Sequence, residues 1–435
     1  MAVLLALALA WAPESRADGK GNISAVNQVS GPTREHEADV ATAWYDLILK
    51  LFADEKLSPP VAARALAYVG VGLYEAVVPG MPTHRSLVGQ LNGFRAVPAS
   101  LTHEEYHWPT VANSAAATVL RSLFALSRGP SMRIAGLESG LAHVFQKSVE
   151  PAAFARSIAF GGAVGAGIAR WSTEDGYASF DKCDYSAPTG PGLWTPTPPL
   201  LTPPVQPCWG RLRPFVLRGA FDVDPGPPKT YSEDTQSEFF RDAKEVYDTV
   251  NSLTAERRAI ALFWADGPGT VTPAGHTAAI LRRITWERGR KLDFAAEAYA
   301  KVGLAAADAF ISCWAVKYRH NLVRPVTYIR KVIDPTWSPL IATPPFPEYT
   351  SGHSMQSGAT MQVLTEMFGR DFAFTDRTQE SLGLGTRAFT SFWQAAEEAA
   401  TSRLYGGIHY RTANERGLAA GRQIGTRVSS LQFRR

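Results

Sequence analysis

Residues 294–325 read FAAEAYAKVGLAAADAFISCWAVKYRHNLVRP, and their periodicity decides the fold class. Val302, Ala306, Ala309, Phe310, Cys313 and Trp314 recur at the spacing of one helical face, which predicts a helix from about Phe294 to Val323. Lys317 lies three and four residues beyond Trp314 and Cys313, so it shares that face. Arg324 follows, roughly 20° off the same line and about 10 Å further along if the helix persists. Pro325 disfavours helix at Arg324 and should end it there. One cation on a buried face and a second near the helix end can therefore point into one cavity. A lysine on an apolar stripe is most often a snorkelling side chain. Two later segments argue otherwise.

On the N-terminal side of this helix, residues 35–80 are periodic, with Ala41, Trp44, Leu47, Ile48 and Leu51 on one stripe. Ser58-Pro59-Pro60 starts a second helix that ends near Pro79-Gly80. Alanine-rich helices are expected at about 108–127, 131–149 and 151–172. In the last of these Gly161, Gly162, Gly165 and Gly167 suggest close helix packing. From Ser186 to Pro228 closely spaced prolines exclude regular helix. Trp194, Trp209 and Phe215 can anchor that segment as an ordered crossover. Helices resume at about 232–250, 254–264, 275–288, 353–368 and 386–404, and alternating strand patterns are scarce. The expected fold is all-α: two packed helix bundles joined by a long Pro-rich crossover. Residues 18–185 form the N-terminal helical half, 186–230 the crossover and 231–435 the C-terminal half. Residues 1–17 read as a signal peptide, with the apolar run MAVLLALALAWAP and a small-x-small site at Ser15-Arg16-Ala17, which predicts export to the periplasm or medium.

The 435 residues are 45% hydrophobic and 19% charged with net charge +4, an ordinary globular balance. Basic residues are dispersed, which argues against a nucleic-acid partner. No stretch reaches roughly 18 uninterrupted apolar residues; Ala65 to Val78 is too short and contains Glu75. No membrane span is expected. Cys183 and Cys208 flank the irregular region, where they can pair or remain free thiols, while Cys313 reads as packing. No C-x-x-C or His/Cys cluster points to zinc.

The chemistry gathers in the last third. Pro344-Pro345-Phe346-Pro347-Glu348-Tyr349-Thr350-Ser351-Gly352-His353 precedes a helix, so free N–H groups at its start form an oxyanion cradle. Ser351 can cap the helix or bond the anion, Gly352 admits close approach, and His353 stands at the mouth as an acid or base. Further on, Phe389, Trp393, Ala396 and Ala400 form a stripe leading to Arg403 in Ser402-Arg403-Leu404-Tyr405-Gly406-Gly407-Ile408-His409. The glycine pair should break the helix and turn His409 toward the same cavity. A core-facing arginine needs an anionic partner. None lies on its stripe, although Asp266 is available from another segment.

Lys317-x6-Arg324-Pro325, Ser351-Gly352-His353 and Ser402-Arg403-x5-His409 together resemble the three-part signature of vanadium-dependent haloperoxidases and type 2 phosphatidic-acid phosphatases. The resemblance implies a vanadate cofactor, replaceable by phosphate. Lys317, Arg324 and Arg403 would neutralise its oxygens, aided by Ser351 and the Gly352 N–H. His353 would be the acid–base residue, and His409 either the axial vanadium ligand or a phosphorylated nucleophile. Trp314 and Phe346 resemble residues flanking the haloperoxidase site, and Asp266 would brace the arginines. His276 and His320 read as more distant from the chemistry. The implied activity is oxidation of halide by hydrogen peroxide, delivered to a small organic acceptor, with an exported acid phosphatase as the alternative. Two positions depart from the pattern: Thr350 replaces the usual proline before the serine, and Ala413, beside Asn414, replaces the aspartate that orients the histidine in the phosphatases.

Overall fold

The computed structural model describes residues 31–435 apart from 102, 103 and 126. The expected export leader lies outside the described residues. The described chain is mostly helical. Five helices precede the Pro-rich segment: α1 (Asp39–Asp54), α2 (Pro59–Val77), α3 (Trp108–Leu123), α4 (Arg128–Gln146) and α5 (Pro151–Ser172). Eight follow it: α6 (Glu238–Asn251), α7 (Ala255–Phe263), α8 (Thr272–Glu287), α9 (Leu292–His320), α10 (Pro325–Val332), α11 (Gly352–Phe368), α12 (Phe392–Tyr405) and α13 (Arg411–Ser429). Strands β1 (Phe374–Asp376) and β2 (Arg387–Phe389) pair antiparallel, with Phe374 opposite Phe389. This hairpin, α10 and α13 were not anticipated. Phe389, read as the start of a helical stripe, sits in β2 instead.

α9 is the central element, because it is apolar on nearly every face and such a helix must be enclosed. α2 packs along it, so the main apolar cluster runs from Ala38 through Phe310 to Phe433. By length and composition alone, three helical stretches could cross a membrane: Pro59–Gly80, Pro151–Phe180 and Leu292–His320. The sequence expectation overlooked them because it counted uninterrupted apolar runs rather than mean hydropathy. The first and third are 94% and 89% buried inside the protein, so protein already covers their apolar faces. The glycines of α5 do permit close packing: a Cβ at Gly161 would stand 2.3 Å from the Val111 carbonyl oxygen on α3.

α9 stops one turn short of Val323. Asn321 adopts a left-handed conformation (φ 47°) and its amide donates to the Tyr318 carbonyl at 2.6 Å, which ends the helix. Arg324 therefore occupies the N-cap of α10 in extended backbone and does not continue the α9 line. The Pro-rich segment lies over this corner: the Trp194 N–H donates to Asn321 O at 2.6 Å, and Val205 N–H to Pro345 O at 3.0 Å. Trp194, Trp209 and Phe215 are buried as anchors. Cys183, just before the segment, forms a disulfide with Cys208 inside it, and Cys313 is a buried free thiol.

α13 escaped the sequence reading because most of its buried face is small residues, Ala413, Gly417, Ala420, Gly421 and Gly425, with only Ile424 and Val428 as large apolar members. The small residues let it lie directly on α11. A Cβ at Gly421 would come within 2.1 Å of Met355 O and 2.9 Å of Ala359 N, both backbone atoms that cannot step aside. Gly421→Ala is expected to lower stability by about 1–3 kcal/mol through overpacking. Urea unfolding monitored by circular dichroism checks this; an unchanged midpoint would mean that the two helices separate freely.

Candidate active site

Three segments build one enclosed site. The last turn of α9 contributes Lys317, and the corner before α10 contributes Arg324. Ser351 caps α11, its hydroxyl accepting from Ser354 N–H at 3.3 Å, as its position before the helix predicts. α12 ends at Tyr405, and Gly407 turns the chain with φ 77°, a conformation that favours glycine. That turn brings His409 against Arg324 and Glu348.

Lys317 and Arg324 are fully buried, and Arg403 and His409 are 2% exposed. Lys317 Nζ donates to the carbonyls of Pro347 and Glu348, each at 2.9 Å. Arg324 donates Nε–H to Phe346 O (2.8 Å) and Nη1–H to Ile408 O (2.8 Å). Its Nη1 is also 3.2 Å from His409 Nε2. Arg403 Nη1 donates to Trp264 O at 2.6 Å, while its buried Nε has no partner. The Phe346 ring lies 5.1 Å from Lys317 Nζ and 4.9 Å from the Arg324 guanidinium, and Trp314 packs on Phe346 at 4.9 Å. Gly352 faces Trp314 and Phe310. His353, with a side chain 14% exposed, is the member open to solvent, and its Nε2 is also unpartnered. Tyr349 and His320 contact one another edge-on at 5.6 Å.

The charges affect one another strongly. Burial depresses Lys317 to about 7. Burial also lowers Arg324 to about 10, although Glu348 opposes it, and lowers Arg403 to about 9 against the pull of Asp266. His353 falls well below the ordinary imidazole value through burial and the Arg403 charge. His409 does so through burial and the charges of Arg324, Lys317 and Arg403. The two histidines are therefore neutral bases among cations.

Glu348 was missed. It is fully buried, and its Oε1 accepts from His409 Nδ1 at 2.7 Å and from Tyr410 N–H at 2.9 Å. This bond assigns the proton to Nδ1 and leaves the Nε2 lone pair toward Arg324. Glu348 thus supplies the carboxylate absent at position 413. Ala413 instead offers its carbonyl to Ser351 N–H at 3.2 Å, and Asn414 Oδ1 accepts from Ser354 Oγ at 3.4 Å. The only sequence signal for Glu348 was its position five residues before His353 in a proline-rich approach.

Asp266 is in the site wall but does not pair with an arginine. Its carboxylate receives His276 Nδ1 at 2.8 Å and Gln379 Nε2 at 2.7 Å, and lies 3.8 Å from His353 Nε2. Among the described residues no ion pair joins it to Arg403. It acts on Arg403 through its charge, which opposes the effect of burial, while its hydrogen bonds go to His276 and Gln379.

Among the described residues no group of three or more His, Cys, Asp or Glu is placed to hold a metal ion. What the site offers is three buried cations near the carboxylates of Glu348 and Asp266, with spare donors on Arg403 and Lys317 and the Nε2 atoms of two neutral histidines. That donor set fits a tetrahedral oxyanion such as vanadate or phosphate rather than a bare cation.

The fold and site define a helical oxyanion-binding protein. Residues 297–434 match the model of the second helical-bundle domain of vanadium chloroperoxidase. The chain is 40% identical to the protein in the crystal structure of the first bacterial vanadium-dependent iodoperoxidase, with a TM-score of 0.86 over 91% of this chain and 96% of that one. A holo-type bacterial vanadium-dependent chloroperoxidase shares the fold at 17% identity, with a TM-score of 0.67 over 86% and 92% of the two chains. Vanadium chloroperoxidase of Curvularia inaequalis is 26% identical over a match spanning 35% of each protein, so the chain aligns with about a third of that relative's length. The chain belongs to the vanadium-dependent haloperoxidase family.

Proposed function

We propose that this protein oxidises halide with hydrogen peroxide at a vanadate held by His409. The observation that carries the reading is the enclosed set of Lys317, Arg324 and Arg403 around a histidine whose Nδ1 proton is fixed by Glu348. Vanadate bound there would act as a Lewis acid, activating peroxide without changing its own oxidation state. Lys317, Arg324 and Arg403 neutralise the oxyanion, and the Ser351 hydroxyl and Gly352 N–H supply neutral donors. His353, neutral and at the mouth, takes a proton from incoming hydrogen peroxide and returns it to the departing oxygen. The reaction balances as halide, hydrogen peroxide and one proton giving hypohalous acid and water, the halide losing two electrons to the peroxide oxygen. A small organic acceptor can then receive the halogen. Phe346 and Trp314 pack beside the cations, and the lower local dielectric strengthens their attraction for an anion.

Iodide is the first halide to assay, because the 40%-identical structure is that of an iodoperoxidase. Halide oxidation dependent on both vanadate and peroxide is expected. Absence of turnover in protein that has bound vanadate would remove the proposal. The Glu348–His409 pair also favours a second reading, an acid phosphatase with His409 attacking phosphorus, because a carboxylate on Nδ1 raises the basicity of Nε2. Vanadate-inhibited hydrolysis of a phosphomonoester, lost in His409→Ala, would support it. Oxyanion binding without either turnover would leave a binding module.

Lys317 sets a pH dependence. Its ammonium is complete below about 7 and is lost as pH rises through that value, and the charged form binds the anion. Affinity for sulfate, whose own charge is constant over this range, should be highest below pH 7 and fall by up to about tenfold per pH unit above it. Calorimetry across pH 5.5–9 (roughly two units above the Lys317 value) should show this slope, and Lys317→Met should make it shallower, leaving the part due to Glu348, which burial pushes up to about 7, and to Arg403, lowered to about 9.

Export and the division into two bundles around segment 186–230 belong to the same proposal. The Cys183–Cys208 bridge supports an oxidising compartment. The lack of α-helix between Ser172 and Glu238 among the described residues supports the crossover.

A further inference from the structure

His276 has no part in the mechanism above, yet it is 1% exposed and both of its ring nitrogens face carboxylates. Nδ1 is 2.8 Å from Asp266 Oδ1, and Nε2 is 2.8 Å from Asp376 Oδ2 on β1. Asp266 and Asp376 are themselves 5% and 2% exposed. Two buried carboxylates on one imidazole require a proton on each link, since an ionised carboxylate only accepts. Burial alone would depress His276, but the two acids outweigh it and lift it to about 10. Trp264 stacks flat on the ring at 4.5 Å, and Gln379, just past β1, donates to Asp266 at 2.7 Å. The acid is thus gripped from two directions, by α8 and by the hairpin.

On its far side Asp266 faces the active site. Its Oδ2 is 3.8 Å from His353 Nε2, and its charge is the main one opposing the burial of Arg403. Arg403 nevertheless makes no ion pair with it among the described residues, and keeps a buried, unpartnered Nε. We propose that His276 is a positioning residue for Arg403 and His353: it holds the Asp266 carboxylate back, so that the guanidinium charge remains available to the oxyanion. Without it Asp266 would turn to the nearest cations, closing Arg403 into an internal salt bridge and stabilising protonated His353. The charged groups facing His353 are Arg403 from α12, His276 from α8, Lys317 from α9 and Asp266 from the α7–α8 connection. The inference rests on the oxyanion-site reading but not on halide oxidation.

The test uses the full chain without vanadate. In His276→Gln, the neutral amide can bond one acid but cannot balance its charge. Sulfate affinity at pH 6.5 should weaken by about tenfold, and the His353 imidazole resonance should titrate about one unit higher than in the wild type. Asp376→Asn keeps His276 on Asp266 and should stay within about threefold of wild-type affinity. Equal loss in the two variants, or no change in His276→Gln, overturns the proposal. Should the variants fail to fold, the nitrogen shifts of His276 in the wild type decide: both ring nitrogens must carry protons near neutral pH, and a singly protonated ring overturns it. Wild-type protein that binds neither sulfate nor vanadate would remove the oxyanion site itself, whereas normal wild-type binding with an unaffected His276→Gln removes only this inference.

Discussion

His409→Ala is expected to reduce halide oxidation by at least about 1000-fold, equivalent to about 4 kcal/mol of lost transition-state stabilisation. The size follows from the donor set. Lys317, Arg324 and Arg403 attract an oxyanion by charge, but His409 Nε2 is the lone pair they surround, held in the correct tautomer by Glu348. Removing the ring leaves a cationic pocket that still collects sulfate or phosphate but no longer bonds vanadium. The check is therefore double: steady-state iodide oxidation, and vanadium NMR of the bound ion. Activity should collapse while sulfate affinity falls less. Added imidazole should restore part of the rate by occupying the vacated space. Activity retained within tenfold of the wild type would show that His409 does not carry the chemistry.

Glu348→Leu should weaken vanadate binding by about 10–100-fold, the usual cost of losing the outer partner of a ligating histidine. The carboxylate does two things at once. It orients the ring through Nδ1, and although burial pushes it up to about 7, the charges of Lys317 and Arg324 favour its ionised form, so it offsets part of their charge. Leucine loses both and also leaves the Tyr410 N–H without its acceptor. Glutamine isolates the two contributions, because its amide oxygen can still accept from Nδ1 and Tyr410. Glu348→Gln should therefore retain ring orientation, visible as an unchanged His409 tautomer by nitrogen NMR, and lose less affinity than the leucine variant. Equal affinities in wild type and Glu348→Leu would reduce the pair to a packing contact.

The residues that carry positive charge were legible because each sits in a local pattern. Lys317 lies on an apolar stripe, Ser351 precedes a helix, and Gly406-Gly407 breaks one. The end of α9 was less legible. Pro325 was read as the stop, but Asn321 turns the chain earlier by taking the left-handed conformation and bonding Tyr318. That difference moves Arg324 from the helix line to a cap, where it reaches the backbone of Phe346 and Ile408. α13 and the hairpin were invisible for separate reasons. A face built mostly of glycines and alanines, with Ile424 and Val428 as its only large apolar residues, has little hydrophobic contrast, and three-residue strands are too short for alternation to register.

Sequence alone determined a helical chain, the order of its cationic and histidine motifs, and the caps and breaks that aim them, because backbone preferences and helical spacing act within a few residues. Tertiary structure alone decided which carboxylates serve the histidines. Glu348 meets His409 across 61 positions and Asp376 meets His276 across 100. A buried acid takes whatever donor packing brings within about 3 Å, and that choice depends on how α8, α9, α11, α12 and the hairpin enclose the same small volume.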